Sequence, residues 1–232
     1  MQNNDQKCIV WGATGQAKIV HEILLYEGTR ISHFFDNNHS VASPVLGVPI
    51  SYGFTGLNEF MKYLAANKLS PAQYEFVVAV GGGRGLDRQS IAAMLLGHGF
   101  KARSVIHPSA IISPTSKLGL GVQILAGSVV STCAAVGDHV IINTGANIDH
   151  DCCLAPGCHV APNAALAGEI NVGENVFIGT NATILPGLSI GKNSCVGAGA
   201  VVTKDVPPDV VVVGNPARPI SSNLKDAWMQ GL

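Results

Sequence analysis

From Ile106 to Val202 every sixth residue is Leu, Ile or Val, without a break. Four positions after each of these the side chain is small or aliphatic, as at Ala110, Val122, Ala146, Cys152, Cys158, Ala164, Ala182 and Ala200. A period of six does not match a helix, and the β-branched content argues for strands. The third position after the aliphatic is often Gly, Asn or Asp: Gly121, Gly127, Gly145, Asp151, Gly157, Asn163, Asn175, Asn181, Gly187, Asn193, Gly199 and Asp205. Those residue types tolerate positive φ, so each six-residue unit reads as a short strand followed by a sharp corner. Strand and corner in alternation describe a parallel β-helix. Its large aliphatic residues fill the axis, and stacking buries an apolar column that no single repeat could bury alone.

The repeat occupies the second half of the 232 residues, which exceed an ordinary domain of roughly 100–200 residues. Two domains are expected, at 1–104 and 105–232. Fourteen basic residues against fifteen acidic ones leave a formal net charge of −1, so no basic surplus exists for nucleic acid or an anionic membrane. No apolar run approaches the ~20 residues of a membrane span, and MQNNDQKC lacks the pattern of a signal peptide, so a cytoplasmic protein is expected. Six cysteines, two of them adjacent (Cys152, Cys153), match neither a disulfide framework nor a paired CxxC zinc site and are read as reduced thiols.

The N-terminal hundred residues read as a small open parallel sheet with helices, a Rossmann-like α/β domain. Cys8–Trp11 is a buried strand, Gly12-Ala13-Thr14-Gly15-Gln16 a glycine turn, and Ile19–Leu25 an apolar stretch at helical spacing. Strand, turn and helix start form a phosphate-binding layout, because main-chain N–H groups and the helix N-terminus favour an anion. The third glycine of GxGxxG is missing, and such turns also serve purely conformational ends. A second strand, Ile31–Phe35, ends in Asp36-Asn37-Asn38, whose polar side chains suit a base or ribose. A third, Phe76–Val80, runs into Gly81-Gly82-Gly83, and Arg88–Leu96 reads as helical. The stretch containing Pro44, Gly47 and Pro49 is a short connector.

The repeats resemble the hexapeptide family of acyltransferases, and this resemblance implies a left-handed β-helix with three hexapeptides per coil. Pairing with a small nucleotide-fold domain is similar to the nucleotide-sugar acetyltransferases of the PglD/NeuD type. The landmarks are GATGQAK, FFDNN, VGGGRG, IHPSA, NIDHDC and GNPA. The resemblance implies acetyl-CoA as co-substrate, a nucleotide-linked amino sugar or, in the NeuD branch, a sialic acid as acceptor, and homotrimers with active sites between subunits. It also implies nucleotide-sugar contacts from Gly12, Thr14, Gly15, Gln16, Asp36, Asn37, Gly81 and Gly82.

Acetyl transfer from a thioester needs a base for the nucleophile's proton and a donor for the tetrahedral oxyanion. His150, two residues after the axial Ile148, should project from the solenoid, and a flanking carboxylate can hold its tautomer and stabilise its cation. Asp149 and Asp151 both flank it; resemblance favours Asp151, which also sits at a corner position where the turn alone accounts for it. One coil onward lies Gly168, about 4.8 Å away at ordinary strand spacing. The family's oxyanion-type N–H maps to this glycine. By resemblance, His159 contacts cofactor or substrate, Asn143 lies near the acceptor amine, and Gly214-Asn215-Pro216-Ala217 lies along coenzyme A. The last segment also reads as a cap on the solenoid. Cys152 and Cys158 fall in the small inward slot, whereas Cys153 faces outward and offers an acyl-cysteine route.

The reading is direct transfer of acetyl to the amine of a nucleoside-diphosphate sugar, by resemblance a UDP-4-amino-4,6-dideoxy sugar, with no metal. One alternative is an O-acetyltransferase acting on sialic acid or another sugar hydroxyl. Another is a hexapeptide carbonic anhydrase with zinc on three histidines, whose HxxxxH pair is missing here. A non-catalytic scaffold is the third.

Overall fold

The computed structural model describes residues 7–220, and its internal contacts divide the chain into two units, 1–80 with 90–105 and 81–89 with 106–232.

In the first unit β1 (Lys7–Trp11), β2 (Ile31–Asp36), β3 (Ile50–Tyr52), β4 (Tyr74–Val78) and β5 (Lys101–Ala102) form one parallel sheet in the order β3-β2-β1-β4-β5. β1 lies at its centre and is buried from Cys8 to Trp11, consistent with its unbroken apolar run. The helices are α1 (Gly15–Tyr26), α2 (Gly53–Ala66) and α3 (Gly85–Gly97), the last contributing residues to both units. α1 turns Ala17, Val20, Ile23 and Leu24 inward, and α2 turns Leu57, Phe60 and Leu64 inward, both at helical spacing. β4, the strand expected at Phe76–Val80, begins and ends two residues earlier than its apolar run suggests. The Pro44–Pro49 connector leads into β3 and the fourteen-residue helix α2.

The second unit is a left-handed parallel β-helix. Its strands, two residues long except Val211–Val213, stack into three faces and pair in parallel with the strand one coil away, until Arg218–Pro219 adds antiparallel to Val211–Val213 at the end. Asn147 and Ile148 pair with Ala165 and Leu166, eighteen residues on. The same step joins Ile141 to His159 and Cys153 to Asn171. The axial residues from Ile124 to Val202 are buried, and Ala146, Cys152, Cys158, Ala164 and Ala182 pack beside them in the same cluster. At about 1.5–3 kcal/mol for each fully buried aliphatic side chain, this column dominates the stability of the solenoid.

Left-handed backbone recurs at the corners. Gly121, Gly127, Gly145, Asp151, Gly157, Asn163, Asn175, Asn181, Gly187, Asn193 and Gly199 all have positive φ. The register imposes the same conformation on Cys133, His139 and Glu169, residue types that pay a steric cost for it. Asp205 does not share it; Asp209 does, at φ 59°. The register shifts at this end of the solenoid. Cys195 pairs with Val211, sixteen residues on, and Ile190 bridges Val206. Two residues are thus missing between Val202 and Val206, which removes the left-handed corner the period assigns to Asp205 and brings the next one to Asp209 instead of position 211.

Candidate active site

His150 and Asp151 occupy a solenoid corner, between the strand Asn147–Ile148 and the strand Cys153–Leu154. Both side chains are about half exposed. Asp151 has φ 58°, and from this left-handed position its Oδ2 accepts a bond from His150 Nδ1 at 2.8 Å. The neighbouring Asp149 does something else. Its Oδ1 accepts the main-chain N–H of His150 at 2.7 Å, capping the corner. The Asp151 hydrogen bond is the main cause holding the His150 pKa above the usual histidine value; partial desolvation opposes it, and the charges of Asp149, Asp151 and Glu169 add to it. With the Nδ1 proton committed to Asp151, Nε2 carries the lone pair.

Gly168 lies directly against this ring. A Cβ built on it would overlap His150 Cε1 and Nε2 and would stand 3.0 Å from Cδ2. Gly168 itself is buried, and its main-chain N–H stands outside the hydrogen-bond ladder. In this solenoid the N–H at the second position after each axial residue falls outside the inter-coil ladder, and the preceding side chain can cap it, as Asn143 caps Thr144 and Asp149 caps His150. Before Gly168 stands Ala167, whose side chain has no acceptor. Among the described residues the Gly168 N–H donates to none. A basic ring nitrogen and a free main-chain donor therefore belong to adjacent coils at one corner.

Asn143 and His159 form a second cluster. His159 is buried, its ring edge-on to Phe177, and burial followed by the Arg88 charge lowers its pKa to about 3. It is neutral. Its Nδ1 lies 3.2 Å from the Gly82 carbonyl, an acceptor only, so Nδ1 carries the proton and Nε2 accepts from Asn143 Nδ2 at 3.0 Å. Asn143 Oδ1 in turn accepts the Thr144 N–H at 2.8 Å. Gly82, with φ 69°, stands in this unit beside His159, and Gly81 precedes it there.

In the first unit Gly12 has φ 106° and no room for a Cβ, which would collide with the Ala79 carbonyl. Its N–H donates to Phe35 O at 2.7 Å, and the Ala13 N–H donates to Asp36 Oδ2 at 2.8 Å. Asp36 Oδ1 accepts the Asn38 N–H at 2.9 Å. The Asp36 carboxylate thus ties the Gly12 turn to the end of β2. Thr14 precedes α1 without capping it through its side chain; Thr14, Gly15 and Asn37 are exposed and Gln16 is half-buried.

The Gly214–Ala217 segment closes the described solenoid. Asn215–Pro216 is a cis peptide, Gly214 has φ 94°, and the turn is fastened by Val201 N–H to Gly214 O and by Ala217 N–H to Val201 O. Cys152 and Cys158 are buried, each thiol directed at a carbonyl of the next coil, Ala167 and Gly173. Cys153 is exposed and, with Gly119, Gly137, Ala155, Gly173 and Gly191, lines a groove of about 870 Å³.

Residues 7–95 match the PglD N-terminal domain family, and residues 169–204 match the bacterial transferase hexapeptide family of six repeats. The solved structure of PerB from Caulobacter crescentus, in complex with CoA and GDP-perosamine, is 38% identical with a TM-score of 0.82, covering 93% of this chain and 97% of that one. The chain belongs to the PglD-type hexapeptide acetyltransferases. Another relative is the acetyltransferase domain of PglB from Neisseria gonorrhoeae, solved alone and with acetyl coenzyme A, at 35% identity, TM-score 0.79, and coverage of 93% and 100%. A Schizosaccharomyces pombe protein assigned as an acetyltransferase is 57% identical over 51 residues, which span 22% of this chain and 25% of that protein.

One element of the site has no counterpart in the motifs: Arg88. Its guanidinium reaches main-chain carbonyls of the solenoid and of Gly82. Carbonyl acceptors carry no residue-type signature, so spacing alone could not have pointed to it.

Proposed function

We propose that this chain transfers acetyl from acetyl-CoA to the amino group of a sugar linked to a nucleoside diphosphate. The observation that carries the reading is the His150 ring, held by Asp151 at Nδ1 and lying with Nε2 against Gly168. The acceptor amine attacks the thioester carbonyl carbon, and a C–N bond forms as His150 Nε2 takes the amine's proton. The negative charge collects on the former carbonyl oxygen, where the Gly168 N–H donates to it. The C–S bond then breaks, and the imidazolium returns the proton to the departing thiolate. Asn143 holds the acceptor nitrogen, and Gly214–Ala217 with His159 belong to the coenzyme and acceptor side of the site. The first unit holds the nucleotide through the Gly12–Gln16 turn, Asp36 and Asn37.

Support comes from relatives solved in complex with CoA and GDP-perosamine and with acetyl coenzyme A. The finer reading is a UDP-linked 4-amino-4,6-dideoxy sugar as acceptor and a homotrimer whose sites lie between subunits. Thiol release from acetyl-CoA, measured against UDP-, GDP- and dTDP-linked amino sugars and against free sialic acid, tests it. Release with a nucleotide-linked amino sugar, and an N-acetyl product by mass spectrometry, is expected. Release with sialic acid alone makes the enzyme an O-acetyltransferase, and release with none rejects the proposal. Sedimentation at trimer mass is expected in the same preparation.

A further inference from the structure

Arg88 has the largest fully buried side chain among the described residues. It lies in the first turn of α3, within the stretch 81–89 that packs as part of the solenoid unit. Its Nε donates to His139 O at 3.2 Å, and Nη2 donates to Gly157 O at 2.6 Å and Cys158 O at 3.2 Å. His139 and Gly157 are left-handed corners one coil apart, with φ 55° and 75°. Carbonyls at that corner position take no part in the inter-coil ladder, so a buried pair of them requires an outside donor. A planar guanidinium, with several N–H groups at fixed angles, supplies it.

The same guanidinium does one thing more. Nη1 donates to Gly82 O at 3.3 Å, the very carbonyl that accepts from His159 Nδ1 at 3.2 Å. From there the bonds continue through His159 Nε2 to Asn143 Nδ2 and from Asn143 Oδ1 to the Thr144 N–H. Each polarity is forced. Gly82 O can only accept, so His159 must protonate Nδ1. Nε2 must then accept, so Asn143 must present its NH₂ to the ring and its oxygen to Thr144. We infer that Arg88 is a positioning residue: through the Gly82 carbonyl it fixes the tautomer of His159, and through His159 the direction in which Asn143 offers its amide to the acceptor amine. The inference rests on the acetyl-transfer reading for its kinetic consequence but not for its geometry.

The geometry is tested without turnover. Nitrogen-15 spectra of the histidine rings in the full chain are expected to show His159 neutral and protonated at Nδ1 across about pH 5 to 8, unlike the surface histidines. In Arg88→Lys, whose ammonium cannot reach the same carbonyls in one plane, His159 is expected to show mixed tautomers. A wild-type ring protonated at Nε2, or an unchanged tautomer in the variant, overturns the inference. The kinetic arm uses the same variant. Arg88→Lys is expected to lower kcat/KM for the acceptor on the order of 10- to 100-fold while leaving KM for acetyl-CoA within about twofold. In an Asn143→Ala background it is expected to add little further loss. Additive losses, or equal effects on both substrates, overturn it. Should Arg88→Lys not fold, His159→Gln breaks the relay at its middle and must lower acceptor kcat/KM by a comparable factor, or the relay is rejected. If the wild-type chain transfers acetyl to no acceptor, the functional reading fails while the ring spectra still decide the relay.

Discussion

Asp151 reaches His150 Nδ1 at 2.8 Å from a corner whose left-handed backbone any Gly or Asn would also satisfy. The carboxylate is therefore more than a turn former, since the same φ that closes the corner brings Oδ2 to the ring. Asp149, one residue before the histidine, instead caps the His150 N–H. Two acidic residues flank one imidazole, and backbone conformation separates their roles.

The first prediction comes from the sign of the His150 shift. Its pKa is raised, chiefly by the Asp151 hydrogen bond, and a general base works in its neutral form. Acceptor kcat/KM should therefore rise with pH and level off above that raised pKa. Asp151→Asn removes the charge that favours the imidazolium, so the acid limb of the profile should move to lower pH. The plateau should also drop by about tenfold or more, because the amide no longer enforces the Nδ1–H tautomer. A pH–rate profile of both proteins checks it. Asp149→Asn, by contrast, should leave a much smaller displacement of the limb.

A second prediction concerns Gly168→Ala. The backbone at 168 is not left-handed, so the substitution adds no φ strain, but the new Cβ would clash with His150 Cε1 and Nε2. The ring is half exposed and can swing away. Stability should then change by less than about 1 kcal/mol, whereas kcat should fall on the order of 100-fold through lost alignment. Urea denaturation paired with turnover measurements separates the two effects.

Much of the solenoid was legible because its period is covalent arithmetic. Once strands are two residues long and coils eighteen, each axial position is set by the last, and the contact of Gly168 with His150 is set with it. What the period could not show was who tolerates the corners badly. Cys133, His139 and Glu169 adopt positive φ because their register demands it, and their identities give no warning. Asp205 misled for the opposite reason: its type suits a corner, but two residues are missing between Val202 and Val206, the left-handed turn there is lost, and the next one falls at Asp209. In the first unit, α2 starts after Tyr52 without a side-chain cap, so the usual start signal is missing. Arg88 stayed hidden because main-chain carbonyls are its partners. Asp36 reads as a ribose or base contact from its place after a strand, and in the folded unit its carboxylate also anchors the Gly12 turn.

The strained corners give a third prediction. Cys133 is exposed with φ 59°, and its N–H donates to Thr115 Oγ1 at 3.1 Å, a bond any residue there could keep. Asn accepts left-handed backbone more readily than Cys does. Cys133→Asn should stabilise the solenoid by roughly 0.5–1 kcal/mol without altering turnover. The denaturation midpoint of the two proteins, compared under reducing conditions, measures it; a lower midpoint contradicts the strain argument.

Cys153 offers the sharpest choice between direct transfer and a covalent acetyl-enzyme. It is exposed and begins the strand after the His150 corner, so a thiol does stand near the proposed base in sequence. An acyl-cysteine route would need that base to activate the thiol, and the ring nitrogen facing Asp151 is already committed. The remaining nitrogen lies against Gly168 on the neighbouring coil, the proposed oxyanion donor. Direct attack by the amine uses that geometry as it stands, with the base beside the proposed donor. Cys153→Ser should keep kcat within about twofold, since an alcohol cannot replace a thiolate nucleophile but does fit the same surface. Initial-rate lines for the two substrates should intersect, as in a ternary complex, and intact mass spectrometry after mixing with acetyl-CoA alone should show no acetylated protein. Parallel lines together with a stable acetyl adduct lost in Cys153→Ser would place the nucleophile on the enzyme instead.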